Sequence, residues 1–384
     1  MPSRLAAVRS IVSLAVRSTA SLSACPDRAL PQRFASGGAK VLLLGEGNFS
    51  LAAAFCRRHV QQTSGDGVRV VATSLETADE ARSVWGAGPS LDELSERGVD
   101  VVHGVDATAL EQSPLRGEAF DAVLWTFPHV GKKGRIHLNR ALLSAFARSL
   151  QSAAVLREPS GHVEVSLAAG QGGTPADGAS RRRFYGDSWQ LALNAAEGGF
   201  LITDAEDFNL EAWAALGYRS AGHYRGLGAQ TPTMDKAFRA AAGVVHTLVP
   251  EGRPGALARW PEVFELHGSF WVSDTLWLPS LSEAAQLHPT GVAAPQAFAH
   301  AVRDAARTAV GQHLADVDVV NLWLRPVDGR LSICLRFTYS APELAMTHAR
   351  TRLMHEAVKE GVQRCMPGVT VRTRADSLPH AAVM

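Results

Sequence analysis

Paired cysteines, long apolar runs and a strong net charge are all missing from this chain. Its 384 residues hold four cysteines, Cys25, Cys56, Cys334 and Cys365, with no paired spacing. That excludes a disulfide scaffold and a cysteine-based zinc site, and it fits a reducing compartment. No metal is expected. No apolar run approaches the roughly 20 residues a helix needs to cross a bilayer, so no membrane partner is expected either. Lysine and arginine total 38 against 37 acidic residues, a net charge of +1. A nucleic-acid partner would therefore be held by local patches and not by a global field.

What positive charge there is gathers at the start. Arg4, Arg9, Arg17, Arg28 and Arg33 stand against Asp27 alone in residues 1–38, amid Ser, Ala and Leu. This is the composition of a mitochondrial transit peptide, with Leu5, Val8, Ile11, Val12, Leu14 and Val16 able to form one apolar helical face. A disordered leader of a GC-rich genome is the plainer alternative. Mitochondrial localisation is thus an expectation, with cytoplasm or nucleolus as the alternative.

The body opens with Val41-Leu-Leu-Leu-Gly45-Glu-Gly47-Asn48-Phe-Ser50. Four apolar residues read as a buried parallel strand, the glycines as a tight turn, and Leu51 to Phe55 as the start of an amphipathic helix. An ordinary strand–helix turn would look the same. Further strands follow at Val68–Ser74, Val101–His103 and Phe120–Phe127, with helical segments between them, which predicts a doubly wound α/β sheet. Ligands of such sheets lie beyond the carboxyl ends of the strands. Those ends are Gly45, Gly47, Glu76, Asp106 and the Thr126–Gly131 loop.

Each end has a chemical use and a plainer alternative. The Glu76 carboxylate can accept from two ribose hydroxyls, or be a solvated acid in the first turn of the next helix. Asp106 can accept from an adenine amine, or cap a helix. Together they favour an adenosine ligand. Beyond a fifth strand at Gly161–Leu167, Gly170–Pro175 reads as a flexible loop on the same rim. Phe200–Thr203 is another strand, and Val244–Val249 reads as the last strand of the sheet. Arg181, Arg182 and Arg183 beside Phe184 and Tyr185 can grip phosphates and stack a base, or be a solvated loop. Lys132, Lys133 and Arg135 have the same two readings.

The blocks GEGNFSLA, ATSLET, VDAT, FDAVLWTFPHVGKKG, LNRALL, GQGGTP and SWQL occur in this order. Together they resemble the ribosomal RNA uridine-N3 methyltransferase-like family, which has a Rossmann-like class I methyltransferase fold. The resemblance covers residues 39–250 and implies S-adenosyl-L-methionine as cofactor and RNA as partner, rRNA first and tRNA second. It implies cofactor contacts from Gly45, Gly47, Asn48, Glu76 and Asp106. His129, at the end of the fourth strand, becomes the first candidate for a base or base-positioning group, with Thr126 beside it and Asp187 second. Phe127 and Trp189 are candidates to stack a flipped base, although core packing is the plainer reading of Trp189. Thr126 stands where that family has Asn, and Leu44 where many methyltransferases have an acid.

Residues 257–374 read as strand, helix, hairpin, helix, strand, with Asp328-Gly329 as the hairpin turn and 375–384 as a tail. This βαββαβ order is α+β and ferredoxin-like, and RWPEVFELHGSFWV with SICLRFTYSAPELAMTH resembles a ferredoxin-fold anticodon-binding domain. The resemblance implies RNA binding, with Arg325, Arg330, Arg336, Arg350 and Arg352 as phosphate contacts. A catalytically silent RNA-binding protein is the alternative to an RNA methyltransferase.

Overall fold

The computed structural model describes residues 38–59, 67–130, 135–178, 183–220, 243–274, 277, 282 and 296–373. Its first sheet has seven strands: β1 (Lys40–Leu44), β2 (Arg69–Thr73), β3 (Asp100–Val102), β4 (Ala122–Thr126), β5 (His162–Ala168), β6 (Phe200–Asp207) and β7 (Gly243–Pro250). The spatial order is β3-β2-β1-β4-β5-β7-β6. Pairings among β1 to β5 are parallel, whereas β7 runs antiparallel to both β5 and β6. The chain order therefore hides one feature: β7 comes last in sequence but inserts between β5 and β6.

Apolar residues on both faces explain the unbroken runs in the sequence, because a parallel sheet is covered on both sides. Leu42, Leu44, Val123, Trp125, Val163 and Val165 face one core with α4 (Ile136–Ala153) and α5 (Leu191–Ala196). Val41, Leu43, Val70, Ala72, Ala122 and Leu124 face the other, with α1 (Ser50–His59), α3 (Gly88–Glu96) and α6 (Leu210–Ala215). The short α2 (Ala78–Ser83) starts with a capping box in which Thr77 and Glu80 satisfy each other's backbone N–H groups. Glu76 therefore stands before the cap, outside the helix.

A second sheet has the order β11-β8-β10-β9, all pairings antiparallel, from β8 (Phe264–Val272), β9 (Leu314–Leu324), β10 (Leu331–Tyr339) and β11 (Val369–Val371). In chain order the elements are β8, α7 (Gln296–Val310), β9, β10, α8 (His348–Cys365) and β11. Phe270, Ile333, Leu335 and Phe337 alternate towards the two helices and are fully buried, each contributing about 1.5–3 kcal/mol. The two sheets are joined through Glu251, which follows β7. Its carboxylate receives both guanidinium arms of Arg350, at 2.6 and 2.9 Å, and the Ala345 N–H at 2.7 Å. Among the described residues, no helix is long and apolar enough to cross a membrane.

Candidate functional site at the carboxyl rim

The carboxyl ends of β1, β2, β3 and β4 lie side by side, because those strands are neighbours in the sheet. Gly45 turns the chain at the end of β1 with φ +68°, and a Cβ there would meet Trp125 Nε1 at 3.0 Å. Both facts demand glycine. The turn is pinned to β2 by the Glu46 N–H, which donates to Thr73 O at 2.8 Å, while Thr73 Oγ1 donates to Leu43 O at 3.1 Å. Phe49 then takes φ +57° just before α1, Phe127 takes φ +52° just after β4, and Gln190 takes φ +52° beside Trp189. Of the four non-glycine residues with positive φ among those described, three thus flank this rim. Left-handed backbone is costly for such residues, and it gathers at functional sites.

The strand ends carry the expected acids in different states. Glu76 is half-buried, with no bonded partner for its carboxylate among the described residues, while its carbonyl receives Ser74 Oγ at 2.8 Å. Since the Ser74 hydroxyl proton is spent there, its 2.7 Å contact with His103 requires the imidazole Nδ1–H to donate. Asp106 is exposed and accepts from Thr108 N–H and Thr108 Oγ1 at 2.8 and 2.7 Å through Oδ1. Asp106 thus makes a local turn with Thr108 and caps no described helix, since the next helical turn starts at Leu110. Asn48 is also engaged locally: its amide donates to Arg219 O at 2.8 Å and accepts from Ser50 N–H at 3.1 Å. Gly47 lies in the bend that follows and is half-buried.

Around β4 the residues diverge. Thr126 faces a cavity shared with Leu51, Phe55, Glu164, Ser166 and Phe208, on the α1 and α6 side. Phe127 packs edge-on against Phe208 at 4.9 Å on that same side. The His129 ring instead lies 6.2 Å from Trp189, which belongs to the core beside α4 and α5. Thr126 and His129 thus look in different directions. Trp189 is 3% exposed, so it is a core residue and the expectation that it stacks a flipped base is revised. Asp187 is exposed on a short turn, Tyr185–Asp187. Arg135 is exposed at the start of α4, and Arg183 is exposed beside Phe184. Lys132, Lys133, Arg181 and Arg182 lie outside the described residues.

Three residues that build this rim were given no individual role by the sequence, although two of them lie in the LNRALL block. Asn139, buried on α4, accepts from the Val130 N–H at 3.0 Å and donates to Arg135 O at 3.2 Å. Arg140 donates to the carbonyls of Gly186 and Ser188, holding the Trp189 loop on α4. Asp177 accepts from the N–H groups of Gly170 and Gly173 at 2.8 and 2.9 Å. With Thr174 Oγ1 3.0 Å from His246 Nε2, these bonds make the expected flexible loop a tied one. Burial holds the His246 imidazole down to about 4, so it is neutral. The LNRALL and GQGGTP blocks thus encode supports.

Glu46, between the two glycines, was not singled out by the sequence. It is 8% exposed, and Oε2 accepts from Ala52 N–H at 3.3 Å, under the first turn of α1. Burial pushes its carboxyl up to about 7. A helix N-terminus is where a nucleotide phosphate would ordinarily sit; here a carboxylate of the chain itself occupies it. Among the described residues, no group of three His, Cys, Asp or Glu side chains is placed to hold a metal ion.

The comparisons with known proteins agree with this geometry. Residues 42–222, which span the rim, match the model of the family described as rRNA (uridine-N3-)-methyltransferase BTM5-like. The match covers just under half of the chain, and it is a likeness to that family. The chain is 38% identical over 208 residues to the human ferredoxin-fold anticodon-binding domain-containing protein 1, covering 54% of this chain and 30% of that protein. The mouse homolog is also 38% identical, over 47% of this chain and 28% of its own length. The chain therefore matches less than a third of the length of these curated relatives. A Methanococcus jannaschii fibrillarin pre-rRNA processing protein aligns at TM-score 0.32 and 15% identity, over 59% of this chain and 70% of that one. The strand order itself, parallel through β1 to β5 with β7 inserted antiparallel, is that of a Rossmann-like α/β sheet.

Proposed function

We propose that this protein is an S-adenosyl-L-methionine-dependent RNA methyltransferase that methylates a uridine at N3, with rRNA as the first candidate substrate and tRNA as the second. The observation that carries it is the set of strand ends at β1 to β4, within the segment that matches the methyltransferase family model. The residues fit the cofactor. Gly45 leaves room where a side chain would meet Trp125, and the Glu76 carboxylate, without a bonded partner among the described residues, is open to ribose hydroxyls. When bound, the cofactor supplies an electrophilic methyl group on a sulfonium.

The protein's task is then to position the base and accept a proton. A uridine imide nitrogen is a poor nucleophile until deprotonated, so an acceptor beside it speeds transfer. His129, half-buried at the end of β4, is our first choice for that role. Phe184, 86% exposed beside Arg183, is a platform on which an RNA base can stack. The expectation for Tyr185 changes, because its hydroxyl donates to Glu262 at 2.8 Å and anchors the loop instead.

The second sheet supports the RNA part of this reading, in an arrangement we interpret as ferredoxin-like. Trp271 and Trp323 lie 6.2 Å apart, with Arg325, Arg330 and Arg372 stacked on their rings at 4.3–5.1 Å. Such a basic-aromatic cluster suits a nucleic-acid backbone. Arg350 and Arg336 are committed elsewhere, to Glu251 and to Asp318, and Arg325 is held by Asp328, so Arg330 and Arg372 are the cluster's candidates for phosphate. Mitochondrial action belongs to the same proposal, supported by the arginine-rich composition of residues 1–38.

The deciding experiment is mass spectrometry of nucleosides from rRNA and tRNA incubated with the full-length protein and isotopically labelled cofactor. Labelled 3-methyluridine supports the proposal. RNA binding without cofactor binding or methylation would favour the silent RNA-binding reading, for which Thr126 in place of the family's Asn is the residue-level motive.

A further inference from the structure

Phe184 stands exposed at the start of the Tyr185–Asp187 turn, and the next residue ties that turn to the second sheet. The Tyr185 hydroxyl donates to Glu262 Oε2 at 2.8 Å. Glu262 is half-buried two residues before β8, and β8 is itself seated by Phe264, edge-on to the His348 ring at 5.1 Å where α8 begins. From the first sheet, Arg140 of α4 donates to the Gly186 and Ser188 carbonyls. The turn that presents Phe184 is thus clasped from both sheets. Beyond the clasp, β8 runs from Phe264 to Trp271, about 24 Å of chain at ~3.4 Å per residue. At the far end Trp271 carries Arg330 at 4.3 Å and Arg372 at 5.1 Å. Between the two ends, on the same open face, Glu265 and Asp318 converge on Arg336 at 3.9 and 2.8 Å, and the three together are net negative. Phosphate is attracted at the Trp271 end and repelled midway.

We infer that the substrate is a folded RNA held at two points, a base on Phe184 and backbone phosphate at Arg330 and Arg372, and that Tyr185 and Glu262 are positioning residues that fix the spacing between those points. This rests on the reading of the protein as an RNA methyltransferase. A flexible single strand following β8 has to cross the acidic stretch. A stiff stem bridges the same 24 Å, roughly seven duplex steps of about 3.4 Å, without lying on it. Once the phosphates are seated, arrival of the base at Phe184 is an intramolecular event, and its effective concentration depends on how firmly the spacing is held. The Glu251–Arg350 pair holds sheet to sheet, and the Tyr185–Glu262 bond holds the platform to the second sheet. Tyr185→Phe removes the donor and keeps the ring, while Glu262→Gln keeps an acceptor and removes the charge.

The test compares two RNA probes carrying the same uridine-containing loop, by fluorescence anisotropy with the full chain. One is an RNA hairpin whose stem of about ten base pairs exceeds the span between the two points; the other is the loop alone, as a short single strand. The hairpin should bind the wild type at least about tenfold more tightly than the strand. Tyr185→Phe and Glu262→Ala should each cut that advantage about fivefold, the worth of one hydrogen bond, and leave affinity for the strand unchanged. Glu262→Gln should restore most of the advantage, because its amide oxygen still accepts from Tyr185. Arg330→Gln, at the other point, should also reduce it. Equal binding of the two probes by the wild type overturns the inference. So does an advantage that survives Tyr185→Phe, or an equal loss of affinity for both probes, or no rescue by Glu262→Gln. Should Glu262→Ala fail to fold, Tyr185→Phe decides alone. If neither probe binds, the RNA reading itself falls and takes this inference with it; binding of both with an advantage that ignores the Tyr185–Glu262 bond overturns the inference and leaves that reading standing.

Discussion

Asn139 accepts a hydrogen bond from the Val130 N–H at 3.0 Å, so the loop after β4 is fastened to the helix that follows it. The same amide donates to Arg135 O, which makes one buried side chain the clasp for both ends of the segment between them. Removing it by Asn139→Ala leaves a backbone N–H without its partner, at about 1–3 kcal/mol. The cofactor contacts sit on β1 and β2, outside the clasp. Thermal unfolding should show the loss, and methyl transfer should fall well below wild type while cofactor affinity changes little. Equal losses in both would mean that the clasp supports the whole rim.

Gly45 should tolerate no side chain. At φ +68° an alanine pays roughly 1–2 kcal/mol for the left-handed backbone, and its Cβ meets Trp125 Nε1 at 3.0 Å. Gly45→Ala should lower the melting temperature and weaken cofactor binding together, as read by calorimetry. Wild-type affinity in a well-folded variant would remove the turn from the cofactor site.

Much of this rim was legible in the sequence because strands covered on both faces read as unbroken apolar runs, and glycines mark where they end. The supports were not. Asp177 reaches Gly170 and Gly173 inside a loop whose glycines read as flexibility. His246 meets Thr174 from 72 residues away, a pairing that no local pattern encodes. Glu46 looks like any polar turn residue until α1 is folded over it. Arg350 looked like a phosphate contact because its partner Glu251 is 99 residues distant. The insertion of β7 between β5 and β6 is equally nonlocal.

Glu46 should also leave a mark on stability. Its folded value of about 7 lies above the ordinary 4.5, so the folded state holds the proton more tightly than the unfolded one. The native state gains most from this below about pH 4.5, and the gain is lost as pH rises through 7. The difference corresponds to about 3 kcal/mol at most. Glu46→Gln should therefore stabilise the protein at pH 8, with the advantage shrinking towards pH 4.5, as measured by denaturant unfolding. A variant less stable than wild type at pH 8 would show that the ionised form is well solvated in the fold.

The Glu251–Arg350 pair predicts coupling between the two sheets. Both side chains are partly exposed, so screening limits its worth to about 1–2 kcal/mol even with two parallel bonds. A double-mutant cycle with Glu251→Gln and Arg350→Met should recover that coupling, and either single change should broaden the unfolding transition or split it. A cycle that closes at zero would leave the apolar contacts of Leu201, Val249 and Ala345 as the link between the sheets.

The divergence of Thr126 and His129 makes their roles separable. His129 lies beside Trp189 near the α4 core, and Thr126 faces the cavity with Ser166 and Phe208 near α1. If His129 accepts the uridine proton, His129→Ala should cut turnover about 100-fold or more and leave cofactor affinity intact. His129→Gln, which keeps a hydrogen-bonding group but no base, should recover little of it; substantial recovery would make His129 a positioning residue. Thr126→Asn restores the side chain of the family motif, whose amide offers a donor and an acceptor where the hydroxyl offers less. Turnover should rise a few-fold, and because the two side chains point to different faces, the effects in the double variant should simply add. Strong non-additivity would mean that the segment moves on binding RNA and brings both residues to the base. If neither substitution alters methylation of any RNA offered, the target pocket lies elsewhere on the rim.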